Sequence, residues 1–202
     1  MHPPRLLLIR HGQTAWNVER RFLGRTDLPL DAVGEAQATR LGLRLAAPPL
    51  AGVWSSPLTR ARQTAAPLPG GAAPRVHPGL VEIDMGRLEG LSGTEFLAQW
   101  PDVAAAWRDH PHAVELPGGE RLADVQTRAL AALAGIAADV TPGQTVAVVT
   151  HQLVLATLVC HYNSAPLATF RTYMHRNTGI TTLEFGDAAR VVAFDDAAHL
   201  DG

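Results

Sequence analysis

The sequence has a single cysteine, Cys160, among its 202 residues, and no large surplus of charge of either sign. One cysteine cannot form an intramolecular disulfide, so a reducing, cytoplasmic location is expected. The formal net charge of −2 gives no support to nucleic-acid binding, which is typical of strongly basic chains. We therefore expect no nucleic-acid partner.

Long uninterrupted apolar runs are also missing from the sequence. The N-terminal run Leu6–Ile9 ends at Arg10, so it is too short for a secretory signal or a membrane span. The longest apolar region, 145–162, has His151 in its middle, and an ionisable group there is costly in a bilayer. This region is therefore interpreted as a buried strand followed by a buried helix, and no membrane partner is expected.

What the sequence does contain is a regular alternation of strand and helix patterns. Three apolar runs have the length of buried strands: 5–11, 51–56 and 144–151. Strands that alternate with helices along one chain indicate a three-layer α/β/α sandwich with a mostly parallel central sheet. A length of 202 residues fits one domain, which we expect to span 1–202.

Capping residues and prolines predict the helix boundaries. Asp31 is the expected N-cap of a helix that ends before Pro48, and Pro57 is expected in the first turn of the next helix. A long helix is predicted from Glu120, with one apolar face made by residues 122, 125, 129, 133 and 136.

Two further regions complete the predicted fold. The C-terminal stretches are expected to pair as a hairpin around Gly186 and Asp187. The glycine-rich segment 84–119, here called the roof segment, is expected to form short helices over one end of the sheet. Its aromatic and histidine residues are interpreted as packing and surface groups, with substrate contact as the alternative. Elsewhere, Arg62 is interpreted as a surface charge, and so is Arg171, again with substrate contact as the alternative.

Two of the predicted strands end in a histidine, at His11 and at His151. Parallel strands end at the same edge of a sheet, where ligands bind in open α/β folds, so both histidines are expected in one crevice. Arg10 precedes His11, and Arg60 lies in the first turns of the helix after the second strand. Two arginines and two histidines together predict a site for a phosphate-like anion.

Phosphoryl transfer is the chemistry that this group of residues predicts. A histidine between two arginines has a lowered pKa, which leaves a neutral imidazole that can attack phosphorus. The leaving oxygen then needs a proton, and Glu82 is the preferred donor, with Asp84 and Glu89 as weaker candidates. A two-histidine metal site is disfavoured, because no third ligand has a suitable spacing and the arginines repel a cation.

Four stretches resemble, in order and spacing, the signature blocks of the histidine phosphatase superfamily, also called phosphoglycerate mutase-like. They are RHGQTAWN, SSPLTRARQTA, LVEIDMGRLEG and VVTHQ. A further stretch, LPGGERLADVQTRAL, resembles a block of the broad-specificity and α-ribazole phosphatase branch. The resemblance extends over about residues 5–185 and implies a phosphoglycerate mutase-like fold.

The resemblance also implies a function: metal-independent hydrolysis of the phosphomonoester of a small metabolite through a phosphohistidine, without a cofactor. In this family pattern His11 is the nucleophile, and Glu82 protonates the leaving alcohol and later activates water. The implied phosphate pocket consists of Arg10, His11, Asn17, Arg60, His151 and Gln152. The implied state of His151 is protonated.

Three positions depart from the family pattern. Leu23 stands where many relatives have a polar residue that contacts phosphate, Gln152 follows His151 instead of the commoner glycine, and Arg121 stands where serine is usual.

Two alternative functions stay open: a cofactor-dependent phosphoglycerate mutase and a weakly active phosphate-binding module. Mutases usually carry an extra segment between the second and third blocks, and the 21 residues between Arg60 and Glu82 are too few for it. A monomer or a homodimer is expected.

Overall fold

The computed structural model describes residues 2–70, 72–185 and 188–201. At its centre lies a sheet with the strand order β3-β2-β4-β1-β5-β6. The strands are β1 (Arg5–Arg10), β2 (Gly52–Ser55), β3 (Arg75–Val76), β4 (Thr145–Thr150), β5 (Ile180–Phe185) and β6 (Ala189–Asp196). The first four are parallel, and β5 runs antiparallel to β1 and to β6. The mostly parallel sheet is confirmed; the predicted turn at Gly186 and Asp187 lies outside the described residues.

The α-helices are α1 (Ala15–Val18), α2 (Ala32–Arg44), α3 (Thr59–Ala65), α4 (Gly93–Gln99), α5 (Pro101–Asp109), α6 (Leu122–Ala138) and α7 (Gln152–Tyr162). Short 3-10 helices lie at Pro78–Leu80, Gly86–Leu88, Pro111–Ala113, Leu167–Tyr173 and Ala198–Leu200.

Neighbouring strand residues point to opposite sides of the sheet, so apolar strands present two faces to be covered. Helices cover both of these faces. Leu8 packs in the cluster that contains α6 and α7, whereas Ile9 packs against Leu41 of α2 and Ala61 of α3. This arrangement confirms the predicted three-layer α/β/α sandwich. All five positions expected on the apolar face of α6 are buried.

The apolar run 145–162 is β4 followed by α7, as expected, and eight residues of α7 are buried. Among the described residues, no single helix is long and apolar enough to cross a membrane. In the described ranges, one pair, α7 and the 3-10 helix Leu167–Tyr173, reaches that length and composition together, and the two helices are bent by 115°.

The predicted helix starts are confirmed in one case and wrong in another. Asp31 caps α2, because its Oδ1 accepts the N–H of Gly34 at 2.8 Å. Pro57 is not in the first turn of α3, which begins at Thr59. Asp27, a loop residue distant in sequence, accepts hydrogen bonds from both the backbone N–H (2.6 Å) and the hydroxyl (2.8 Å) of Thr59. The true start of α3 is therefore determined by a non-local contact.

Candidate active site

The register of β1 and β4 brings the two histidines together. Arg10 lies opposite Thr150, and the N–H of His11 donates to the Thr150 carbonyl at 3.0 Å. The histidine that follows each strand therefore lies at the same edge of the sheet. The rings of His11 and His151 have centroids 5.2 Å apart and planes inclined by 58°. Both side chains are buried.

His11 is held as a neutral imidazole with a defined tautomer. Its Nδ1 lies 2.7 Å from the carbonyl oxygen of Gly12, which can only accept, so Nδ1 carries the hydrogen and Nε2 the lone pair. Burial, reinforced by Arg60 and Arg10, lowers the pKa of His11 well below its usual value. Gly12 lies against Gly34 of α2, whose carbonyl oxygen would be 2.7 Å from an added Cβ, so the close approach of this segment to α2 requires glycine.

Backbone carbonyl groups orient the two arginines, and no carboxylate in the described part of the chain forms a salt bridge with either. Fully buried Arg60 donates from Nη1 to Thr26 (2.9 Å) and from Nη2 to Gly24 (2.6 Å). Half-buried Arg10 donates from Nη1 to the His175 carbonyl at 2.7 Å. Burial lowers the pKa of Arg10 to about 10 and lowers that of Arg60. The Nε atoms of both arginines are buried and have no hydrogen-bond partner within the described part of the chain.

His151 is the second buried imidazole of the site. Burial, followed by the charge of Arg60, lowers its pKa well below the usual value, which favours a neutral ring before phosphate binds. The protonated state implied by the family resemblance concerns the phosphate-bound site and stays a prediction. The Nε2 atom of His151 lies 2.6 Å from the hydroxyl oxygen of Ser56. When that hydroxyl donates, Nδ1 carries the hydrogen. Nδ1 is buried and has no partner among the described residues, so its N–H can donate to an anion.

Glu82 is the buried carboxyl group of the site. Its Oε1 accepts the N–H of Ile83 at 2.9 Å, and its Oε2 accepts the N–H of Leu153 at 3.1 Å. Burial raises the pKa of Glu82, so that the carboxyl group retains its proton to a higher pH. The two weaker candidates for the proton donor are engaged in other contacts. Asp84 forms an ion pair with Arg25, and Glu89 accepts three backbone N–H groups.

A cavity of about 410 Å³ opens at this edge of the sheet. Its polar lining includes Arg10, His11, Asn17, Glu82 and Gln152. Its apolar lining consists of Phe22, Leu23, Met85, Leu88, Phe96, Trp107, Leu116, Leu153, Phe170 and Met174. Arg60 and His151 are fully buried beside His11 and lie outside this lining. The cavity thus combines a polar end with extensive apolar walls.

The positions that depart from the family pattern differ in their placement. Leu23 contributes apolar surface to the cavity, and Gln152 lines it with a buried Oε1 that lacks a partner within the described ranges. Arg121 instead forms an ion pair with Glu115 on the surface, at 2.5 Å. In the roof segment, Trp107 lines the cavity and Trp100 packs against the core. His110 and His112 of the same segment are exposed.

Several residues that hold the site together were not found by sequence reasoning. Arg128 of α6 donates to the carbonyl groups of Val81 (2.5 Å) and Glu82 (3.1 Å) and forms an ion pair with Glu120 at 3.1 Å. Thr64 accepts the N–H of Gly12 at 2.9 Å. The stretch LPGGERLADVQTRAL, which contains both Glu120 and Arg128, was the one available signal.

A resident metal site is not apparent in the described ranges: no group of three or more His, Cys, Asp or Glu side chains there is arranged to hold an ion. The absence of a metal requirement stays a prediction.

The comparisons with known proteins agree with this geometry. The sequence model of the histidine phosphatase superfamily (branch 1) matches residues 6–196. Phosphoserine phosphatase 1 of Hydrogenobacter thermophilus is 29% identical over 193 residues, which are 93% of this chain and 90% of that protein. Probable phosphoglycerate mutase GpmB of Salmonella choleraesuis is 30% identical over 206 residues, covering 96% of this chain and 94% of that protein. The solved structure of Bacillus stearothermophilus YhfR has a TM-score of 0.90 and 36% identity, covering 98% of this chain and 99% of that chain.

Proposed function

Because the chain belongs to the histidine phosphatase superfamily and is a phosphoric monoester hydrolase, we propose that it acts through a phosphohistidine formed on His11. The observation that carries this proposal is the state of His11. It is a neutral imidazole whose Nδ1–H is engaged by Gly12 and whose neighbours are two arginines. A lone pair on Nε2 next to cationic groups suits attack on an anionic phosphoryl group.

In the first half-reaction, the donors that lack protein partners bind the phosphoryl oxygens. These are Nε of Arg10, Nε of Arg60 and Nδ1 of His151. The Nε2 atom of His11 forms the new P–N bond while the P–O bond to the leaving group breaks. Glu82, whose pKa is raised by burial, gives its proton to that oxygen, and an alcohol leaves.

In the second half-reaction, the ionised Glu82 takes a proton from water. The resulting hydroxide attacks phosphorus, the P–N bond breaks, and inorganic phosphate leaves. Both His11 and Glu82 return to their starting protonation states. Asn17 and Gln152 line the cavity beside these groups and are assigned to phosphate binding.

The substrate proposed is a small phosphorylated metabolite, in keeping with the size of the cavity. Phosphoserine is named for one relative, and phosphoglycerate mutase activity for another. The mutase alternative is the weaker one for this chain, because 61–81 lacks room for the shielding segment of mutases.

We also propose a single domain over 1–202 with 84–119 as the roof of the site. The cytoplasmic location, the lack of nucleic-acid and membrane partners, and a monomer or homodimer stay predictions.

The test is turnover of p-nitrophenyl phosphate by the wild type and by His11→Ala. We expect the variant to lose all measurable turnover, because the remaining imidazole, His151, has its Nε2 engaged by the Ser56 hydroxyl and is assigned to donate from Nδ1 to the phosphoryl group. Labelled phosphate should be trapped on the wild type as an acid-labile, base-stable adduct and should be missing from His11→Ala. His110→Ala, an exposed histidine of the roof segment, serves as the matched control. An active His11→Ala variant contradicts the proposal.

Incubation with 3-phosphoglycerate separates the two activities. Release of inorganic phosphate supports the phosphatase, whereas formation of 2-phosphoglycerate in the presence of the bisphosphate primer supports the mutase.

A further inference from the structure

The cavity that contains His11 has an arginine at its outer wall. Arg171 lies in the 3-10 helix Leu167–Tyr173 and is exposed, but its side chain also lines the cavity. Its guanidinium carbon is 4.6 Å from the ring centroid of Phe170 and 5.9 Å from that of Trp107. Its Nη2 donates to the Trp107 carbonyl oxygen at 2.7 Å. Stacking and a hydrogen bond therefore orient this side chain, unlike a freely rotating surface arginine.

Within the described ranges, no carboxylate neutralises the charge of Arg171 through a salt bridge. Arg21, the other arginine of the outer wall, forms ion pairs with Glu19 at 2.7 Å and Glu95 at 3.2 Å. Among the residues that the structure describes, only one of the five N–H groups of Arg171 finds an acceptor, so the rest of the planar fork is available to an oxyanion.

We propose that Arg171 binds a second anionic group, of the carboxylate type, on the substrate. The preferred substrates are then phosphomonoesters in which an apolar or aromatic body connects the reacting phosphoryl group to that carboxylate. The apolar walls made by Phe22, Met85 and Leu116 suit such a body, and the two charged groups would lie at its ends. This inference rests on the proposed function, because it assumes that the phosphoryl group lies at His11.

Arg171 therefore determines specificity and takes no part in bond breaking. Its loss should weaken binding of doubly anionic substrates and leave the chemistry at His11 unchanged. An ion pair of this kind, partly shielded by aromatic rings, typically changes affinity by about tenfold.

The experiment compares two pairs of nearly isosteric substrates: 3- and 4-carboxyphenyl phosphate and their neutral carbamoyl analogues. The wild type should prefer at least one carboxylate over its carbamoyl partner in kcat/KM. Arg171→Met keeps the apolar stem that covers Phe170 and removes the charge. It should lose about tenfold in kcat/KM on the preferred carboxylate, mainly through KM, and stay within about twofold of wild type on the carbamoyl substrate. Arg171→Lys should restore part of the preference.

The matched control is Arg108→Met. Arg108 is an exposed arginine of the roof segment that pairs with Asp109 and does not line the cavity. This variant should leave both substrates unchanged. Equal losses on carboxyl and carbamoyl substrates overturn the inference, because Arg171 would then only support the aromatic wall. Absence of a wild-type preference, or an unchanged Arg171→Met variant, overturns it too. A wild type that hydrolyses none of the four substrates contradicts the phosphatase proposal itself, and the inference falls with it.

Discussion

At the scale of single residues, burial tunes the two central ionisable groups in opposite directions. Removal from water disfavours a charged form, so it lowers the pKa of His11 and raises that of Glu82. One physical cause therefore favours the neutral form of both His11, the proposed nucleophile, and Glu82, the proposed acid. The neighbouring arginines strengthen the effect on His11 and weaken it on Glu82.

Glu82→Gln tests the assignment of the acid. Glutamine cannot donate the proton, so turnover of an alkyl phosphate should fall by about 10²- to 10⁴-fold. The first step with p-nitrophenyl phosphate should fall much less, because nitrophenolate leaves without a proton. Since water activation is also lost, the variant should accumulate phosphohistidine and show a burst of nitrophenol followed by a slow steady state. Rapid-mixing absorbance measures both phases. Equal losses for both leaving groups, with no burst, would show that Glu82 is not the acid.

At the scale of elements, the loop 24–26 connects Glu89 to Arg60, the arginine proposed to bind phosphate. Glu89 accepts the N–H groups of Gly24 (2.8 Å), Arg25 (3.2 Å) and Thr26 (3.2 Å) through its two carboxylate oxygens. The carbonyl groups of Gly24 and Thr26 in turn accept the hydrogen bonds of Arg60. Glu89 is thus a positioning residue for Arg60.

Glu89→Gln should lower kcat/KM by about tenfold, because the amide nitrogen cannot accept a backbone N–H and the loop loses part of its anchoring. The loss should be the same for p-nitrophenyl and alkyl phosphates, and inorganic phosphate should become a weaker inhibitor by a similar factor. Initial rates and inhibition constants provide the measurement, and Glu115→Gln, a surface carboxylate, is the control. A loss confined to alkyl phosphates would instead make Glu89 the acid.

The same loop shows where prediction from sequence stops. The ends of β1 and β4 were predictable, because the apolar runs are local and parallel strands share an edge. The start of α3 was not, since Asp27 defines it from across a loop. The role of Glu89 was missed for the same reason: its partners lie more than 60 residues away in the chain. The lowered pKa of His151 results mainly from its complete burial, which cannot be predicted from a local sequence pattern.

At the scale of the whole molecule, neutral buried histidines make stability depend on pH. Burial lowers the pKa of His11, His151 and His175 in the folded protein. The unfolded chain therefore binds more protons below pH about 6.5, and folding stability falls as the pH decreases through that value. Glu82 has the opposite effect, because its raised pKa favours the folded state as the pH decreases. Burial also lowers the pKa of His199, and hydrogen bonds lower the pKa of Glu184 and of Asp196. Because all of these groups favour unfolding in acid and, in the described part of the chain, Glu82 alone opposes them, the net result is a loss of stability.

His175→Gln isolates one of these contributions outside the proposed catalytic groups. Burial lowers the pKa of His175 to about 4, and its ring contacts the Tyr173 carbonyl (2.9 Å) and the Thr181 hydroxyl (2.7 Å). Between pH 7 and pH 5, a shift from about 6.5 in the unfolded chain costs the wild type about 2 kcal/mol. The variant should be less stable at pH 7, because it loses hydrogen bonds, but its further loss on going to pH 5 should be about 2 kcal/mol smaller. Urea unfolding at the two pH values measures both quantities, and His112→Gln, at an exposed position, should retain the wild-type decrease. A His175→Gln variant with the full wild-type decrease would place the acid sensitivity elsewhere in the molecule.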